Sequence, residues 1–190
     1  MGLYISAFLK HLGSRLFNSD KASSVIIVGL ANAGKSSLVQ ILKDEDVEEL
    51  HTEPTVGHVV ETINYKDMVN LHIWDLGGQD KLRFLWQRYF LTAEAVVFVI
   101  DSSESERFHE ALSELENVLR AEELRIVPVL VLANKQDLVK DKTQDLSKMF
   151  DLSSLSDRPL KVFTCSVTKK EGVEEAMMWL VESIQRNNRR

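Results

Sequence analysis

Gly29-Leu30-Ala31-Asn32-Ala33-Gly34-Lys35-Ser36 fits the pattern G-x-x-x-x-G-K-[ST], and its flanks give the pattern meaning. The apolar run Val25–Val28 precedes it, and Lys35–Leu42 reads as a helix after it. Glycines let such a loop fold tightly, so that several backbone N–H groups point inward at phosphate oxygens. The helix that follows presents the positive end of its dipole to the same anion. Lys35 is expected to reach the β- and γ-phosphates, and the Ser36 hydroxyl to ligand Mg2+. The expected nucleotide contacts run on to Ser37. Such a loop serves ATP and GTP alike, so the base must be read elsewhere.

Asn134-Lys135-Gln136-Asp137 closes the apolar run Val127–Ala133, at the ligand edge of an open α/β sheet. A carboxylate there accepts two hydrogen bonds from guanine N1–H and its exocyclic amine, and adenine offers no such donor pair. Asn134 is expected to brace the base and its loop, and the Lys135 stem to lie over the purine. Trp74-Asp75-Leu76-Gly77-Gly78-Gln79 ends the second strand of a hairpin. Asp75 is placed to hold the Mg2+ shell through water. Gly78 lets its N–H approach a γ-phosphate. Gln79 is neutral, so it orients an attacking water rather than deprotonating it. Thr55, in Pro54-Thr55-Val56-Gly57, supplies a second hydroxyl to Mg2+ when a γ-phosphate is present. Loss of that phosphate would release Thr55 and Gly78 together, which makes a switch.

Around these motifs strands and helices alternate. Val59–Tyr65 and Asn70–Trp74 read as a hairpin turning near Lys66-Asp67. Ala95–Ile100 and Val127–Leu132 are strands buried on both faces. Glu104–Glu123 reads as one helix with Leu112, Leu115 and Leu119 on one side and Ser102 or Ser103 as its cap. Lys161–Thr164 is a last strand and Glu171–Gln185 a last helix. The expected fold is α/β, a parallel sheet covered on both faces. Its domain spans residues 25–190, after a polar linker over 18–24.

The 190 residues carry a net charge of −6 and no dense basic stretch, which argues against nucleic acid as a partner. No run of 18 apolar residues spans a bilayer. Cys165 is the one cysteine, so no internal disulfide forms, as in a reducing compartment. Residues 2–17 are expected to form an amphipathic helix with Ile5, Phe8, Leu9, Leu12 and Leu16 on one face. Met1-Gly2-Leu3-Tyr4-Ile5-Ser6 matches the acceptor pattern for N-myristoylation at Gly2. A lipid and an amphipathic helix are the two signals that reversible membrane attachment needs.

Trp74-Asp75-Leu76-Gly77-Gly78-Gln79-Asp80-Lys81-Leu82-Arg83, with Leu85-Trp86, Tyr89-Phe90 and Ala133-Asn134-Lys135-Gln136-Asp137-Leu138, resembles the Arf/Arl small GTPases from Gly2 to about Leu180. The resemblance implies a P-loop small G-domain: six strands, one antiparallel at the edge. It implies GTP and GDP states, Mg2+, slow hydrolysis with Gln79 as the catalytic glutamine, and exchange factors, GTPase-activating proteins and effectors as partners. It implies that the backbone of Thr164-Cys165-Ser166 touches guanine O6, so Cys165 and Ser166 join the nucleotide contacts. It also implies that the inter-switch hairpin slides on GTP binding and expels the N-terminal helix onto a membrane. The implied setting is cytoplasmic with reversible attachment to Golgi or other endomembranes, in vesicle traffic. Three departures stand out. Ala31 replaces an acidic residue beside the γ-phosphate. His58 replaces a phenylalanine in the effector patch with Trp74 and Tyr89. The loop Lys169-Lys170-Glu171-Gly172 is one residue longer. Ala31 keeps open an alternative, a binding module read by its nucleotide state with negligible hydrolysis. A phosphotransferase would need a basic substrate lid, and none is evident.

Overall fold

Apolar side chains alternate between two faces along the central strands, and this layers the molecule. The computed structural model describes residues 22–44, 47, 50, 53–139 and 158–189. The expected helix over 2–17, Gly2 and linker residues 18–21 lie outside the described residues. In order come β1 (Ser23–Val28), α1 (Lys35–Lys43), β2 (His58–Tyr65), β3 (Val69–Leu76), α2 (Gln87–Phe90), β4 (Ala95–Asp101), α3 (Phe108–Arg120), β5 (Val129–Asn134), β6 (Leu160–Thr164) and α4 (Val173–Asn187).

The strands form one sheet in the order β2-β3-β1-β4-β5-β6. Only β2, at the edge, runs antiparallel, through the hairpin with β3. Val25 and Ile27 face the layer of α1 and α4, while Ile26 and Val28 face that of α2 and α3. Burial on both faces explains the unbroken apolar runs of β1, β4 and β5. After β1 the chain places β3 on one side of it and β4 on the other. That reversal opens a crevice at the C-terminal ends of the strands, where Gly29–Ser36 emerges.

Several boundaries differ from expectation. β1 begins inside the expected linker, because Ser23 and Ser24 pair with Leu71 and His72. β5 starts two residues late, since Pro128 has no N–H to give a ladder. It runs on to Asn134, which pairs with Asp101. The helix expected over Glu104–Glu123 is three pieces. A 3-10 turn (Ser105–Arg107) leads into α3, and a second (Glu122–Leu124) follows an extended Ala121. Neither Ser102 nor Ser103 caps it. Ser103 bonds back to the Asp101 carboxylate through both its amide and its hydroxyl, and Ser102 accepts a bond from Gln136. The far end is stopped by Arg158, which donates to the carbonyls of Leu119 (2.6 Å) and Leu124 (2.7 Å). A 3-10 turn (Asp80–Leu85) and the single turn of α2 were not foreseen.

Candidate nucleotide-binding site

The loop after β1 closes on a cleft of about 330 Å³ lined by Ala31, Asn32, Gly34, Lys35, Ser36, Ser37, Glu53, Pro54, Thr55, Gly78, Gln79 and Lys135. Gly34 has φ +98°, and a Cβ there would overlap the Asn134 amide. Gly29, Leu30 and Ala33 stand behind the cleft. Gly29 packs on Val99, Leu30 and Ala33 are buried in the core, and the Ala33 carbonyl accepts a bond from Asn134 Nδ2 at 2.9 Å. Helix α1 has no acidic residue in its first turn, so its dipole points uncompensated into the cleft. Lys35 opens that helix, and its Nζ donates to the Leu30 carbonyl at 2.9 Å. Burial pushes the Lys35 ammonium down to about 8, against the pull of the Asp75 charge and with a further push from Arg83 and Arg107. A buried cation at the head of an uncompensated helix dipole is a receptor for an anion.

Ser36, Thr55 and Asp75 come from three segments and meet at one point. Ser36 Oγ lies 2.5 Å from Asp75 Oδ2 and 3.0 Å from Thr55 Oγ1, and Thr55 Oγ1 lies 3.3 Å from the same Asp75 oxygen. Asp75 is 3% exposed, and its other oxygen, Oδ1, is buried with no hydrogen-bond partner among the described residues. Burial raises the Asp75 carboxyl above its ordinary range, although bonds from Ser36 and Thr55 and the charge of Lys35 oppose this. Two hydroxyls and one carboxylate, whose Oδ1 is orphaned, form an all-oxygen donor set of the kind a hydrated Mg2+ takes.

Gly78 packs directly on the loop, and a Cβ there would overlap Gly29 O, Lys35 Nζ and Ala31 N. The preceding carbonyl, of Gly77, accepts a bond from the buried Trp86 indole at 3.0 Å. In a trans peptide N–H and C=O point opposite ways, so this bond aims the Gly78 N–H away from Trp86. Gly77 N–H donates to Gly57 O at 2.9 Å, which joins the Thr55 segment to the Gly78 segment. Gln79 is exposed at the mouth of the cleft, and its side chain makes no hydrogen bond among the described residues.

The base-reading loops are fastened to one another. Asn134 is 2% exposed; its Nδ2 holds the phosphate loop, and its Oδ1 accepts the Val167 N–H at 2.9 Å. Lys135 takes a left-handed conformation (φ 62°) and pairs with Asp101 at 2.6 Å. Asp137 is exposed and accepts the Ser166 hydroxyl at 2.5 Å, a bond that holds its carboxyl below the ordinary range despite some burial. It is therefore charged at neutral pH, as an acceptor for guanine must be. Cys165 and Ser166 act differently from expectation. The Cys165 N–H donates to Ala133 O and the Ser166 N–H to Glu171 O, both at 3.0 Å. Both amides are thus engaged within the protein, that of Cys165 by strand β5 and that of Ser166 by the bridge to Glu171 that closes the loop. Ser166 contributes its hydroxyl instead. Cys165 is a buried brace, its thiol pushed up to about 12 by burial and therefore protonated.

His58, Trp74 and Tyr89 form one cluster, with ring centroids 5.2–5.6 Å apart and a 2.9 Å bond between Tyr89 Oη and His58 Nδ1. His72, which the motifs did not single out, extends it with a ring 5.9 Å from Trp74. The signal was available, since His72 is two residues from Trp74 and so on the same face of β3.

A phosphate loop, a hydroxyl–carboxylate cation site and a base-reading aspartate on one doubly covered sheet define a domain of the small GTPase class. The model of the ADP-ribosylation factor family, Arf, matches residues 9–184. ADP-ribosylation factor J of Dictyostelium discoideum is 39% identical over 95% of this chain and 94% of its own. ADP-ribosylation factor-like protein 3 of Chlamydomonas reinhardtii is 38% identical over 90% and 95%. The solved Arl6 BBS3 small GTPase of Trypanosoma brucei, with bound nucleotide analogue GppNp, superposes with TM-score 0.78 at 34% identity, covering 88% of this chain and 99% of that one. The chain belongs to the Arf family. It is accordingly a GTP-binding GTP hydrolase.

Proposed function

We propose that this protein is a γ-phosphate-controlled switch with slow, partner-stimulated hydrolysis, which recruits effectors to membranes in intracellular vesicle traffic. The convergence of Ser36, Thr55 and Asp75, with Asp75 Oδ1 buried and unpartnered, carries the reading. These residues would hold Mg2+, which when bound supplies neutralisation of phosphate charge. The loop amides and Lys35 bind the phosphates. Gln79 orients a water that attacks the γ-phosphorus; the bond to the β–γ bridging oxygen breaks, and GDP and phosphate leave with the water's proton. No arginine lines the cleft among the described residues, so charge that develops in the transition state waits for a partner's cation.

Thr55 and Gly78 report the γ-phosphate to His58, Trp74 and Tyr89, which take effectors. Exchange factors and GTPase-activating proteins turn the switch over. Gly2 carries a myristoyl group, and residues 2–17 hold the active protein on Golgi or other endomembranes from a cytoplasmic pool; the acceptor pattern and the apolar face support this. Single-turnover GTP hydrolysis with and without candidate activators tests the reading, beside sedimentation of the lipidated protein with liposomes. Stimulated hydrolysis, and sedimentation that is stronger with a GTP analogue than with GDP, are expected. Equal partitioning in both states would end the membrane reading. One observation favours a purely binding module, namely that the Gln79 side chain makes no bond among the described residues. Hydrolysis that no activator stimulates would select it.

A further inference from the structure

Outside the cleft a chain of ion pairs ties together two backbone peptides that lead into cleft-lining residues, Asn32 and Gln79. Arg107 Nη1 donates to the Ala31 carbonyl at 3.2 Å and pairs with Glu104 at 3.1 Å; its Nε reaches Glu110 Oε2 at 3.3 Å. Arg83 Nη2 takes the other Glu110 oxygen at 2.6 Å, Nη1 takes Glu114 at 3.1 Å and Asp80 at 3.6 Å, and Nε donates to the Gly78 carbonyl at 3.2 Å. Glu110 is thus shared by both guanidiniums.

Each peptide so held has its N–H on the far side. Both peptides are trans, so the bond on Ala31 O aims the Asn32 N–H away from Arg107, and the bond on Gly78 O aims the Gln79 N–H away from Arg83. Asn32 and Gln79 both line the nucleotide cleft. Asn32 also holds a left-handed φ of 66°, which costs energy unless its surroundings fix it. Ala31 has no polar side chain, so its carbonyl is what Arg107 can grip. A cation on a carbonyl polarises the amide and makes the opposite N–H a stronger donor.

We infer that Arg107 and Arg83 are positioning residues for GTP hydrolysis, coupled through Glu110, which set the Asn32 amide and the backbone of Gln79 at the cleft that takes the γ-phosphate. The Glu110 carboxyl is held below its ordinary range by its bond from Arg83, with Arg107 adding, so the bridge stays charged at neutral pH. The inference rests on a nucleoside triphosphate occupying the cleft.

The test uses the full chain and the variants Arg107→Ala, Arg107→Lys, Glu110→Gln and the double variant Arg107→Ala/Glu110→Gln. Arg120→Ala, which removes an exposed pair with Glu116 on the same helix, is the control. Single-turnover GTP hydrolysis, affinities for GDP and for a non-hydrolysable GTP analogue, and melting midpoints are read. Loss of one charge-assisted bond predicts about a tenfold slower turnover and about a tenfold poorer preference for analogue over GDP in Arg107→Ala and Glu110→Gln. Lysine should not rescue, since one ammonium lacks the fork that spans Ala31, Glu104 and Glu110. The double variant should be no slower than the worse single one. Wild-type turnover and wild-type preference in Glu110→Gln, or strictly multiplying effects, would overturn the coupling, whatever the melting midpoint does. If the wild-type chain itself fails to hydrolyse GTP, the affinity ratio still decides for or against the relay, and the failure falls on the switch reading alone.

Discussion

Asn134 is the side chain whose loss should be felt most widely, because it fastens the phosphate loop to the base-reading loop. Asn134→Ala deletes the donor to Ala33 O and the acceptor for Val167 N–H, each bonded at 2.9 Å and each buried. A buried backbone group left unpaired costs about 1–3 kcal/mol, so the two together cost about 2–6 kcal/mol. The cost divides between folding and hold on nucleotide. Urea unfolding of the nucleotide-free protein reads the first part, and dissociation of a fluorescent GDP reads the second. If about 2 kcal/mol falls on the second, GDP leaves about 30-fold faster. Asn134→Asp separates the two bonds. It keeps an acceptor for Val167 but sets a carboxylate against the Ala33 carbonyl, so it should loosen the phosphate loop while sparing the 165–168 turn. A GDP dissociation rate within about twofold of wild type in Asn134→Ala, together with unchanged unfolding free energy, would refute the reasoning.

Lys35 predicts a pH effect in the nucleotide-free protein. Its folded value, about 8, lies below the ordinary 10.5, so the unfolded chain binds more protons between the two. Stability should therefore rise from pH 8 to pH 10.5, by at most about 3 kcal/mol, and Lys35→Met should abolish that slope in pH-dependent denaturation. Phosphate affinity should move the other way and fall above pH 8 as the free ammonium loses its proton. Asp75→Asn keeps the shape but removes the charge, and it should weaken Mg2+ support of GTP binding about 10–100-fold, measured as the ratio of affinities with and without chelator. Gln79→Leu should lower activator-stimulated hydrolysis about 100-fold by releasing the attacking water, while GTP affinity stays at wild type.

Much of the site is legible in the chain because each part carries its own local constraint. Gly34 is required by a left-handed backbone, the strand runs by burial on two faces, and Asp137 by its place at a strand end. What was missed depends on partners distant in sequence. The turn over Asp80–Leu85 and the single turn of α2 are too short to show a helical period, and they hold shape through Trp86 on Gly77 and Arg83 on Glu110 and Glu114. Arg107 and Glu110 stand at i,i+3, but the link from Arg83 to Glu110 spans 27 residues, so no spacing rule marks the chain as a whole. The resemblance sets the Cys165 and Ser166 backbone at guanine O6, but Ala133 O takes the Cys165 amide and Glu171 O takes that of Ser166.

Hydrogen exchange of the segments that carry Thr55 and Gly78, in the GDP state and with a non-hydrolysable GTP analogue, tests most directly whether the cleft reads the γ-phosphate. Slower exchange is expected in both segments with the analogue, and loss of that difference in the Thr55 segment of Thr55→Ala. Identical exchange in the two nucleotide states would contradict it.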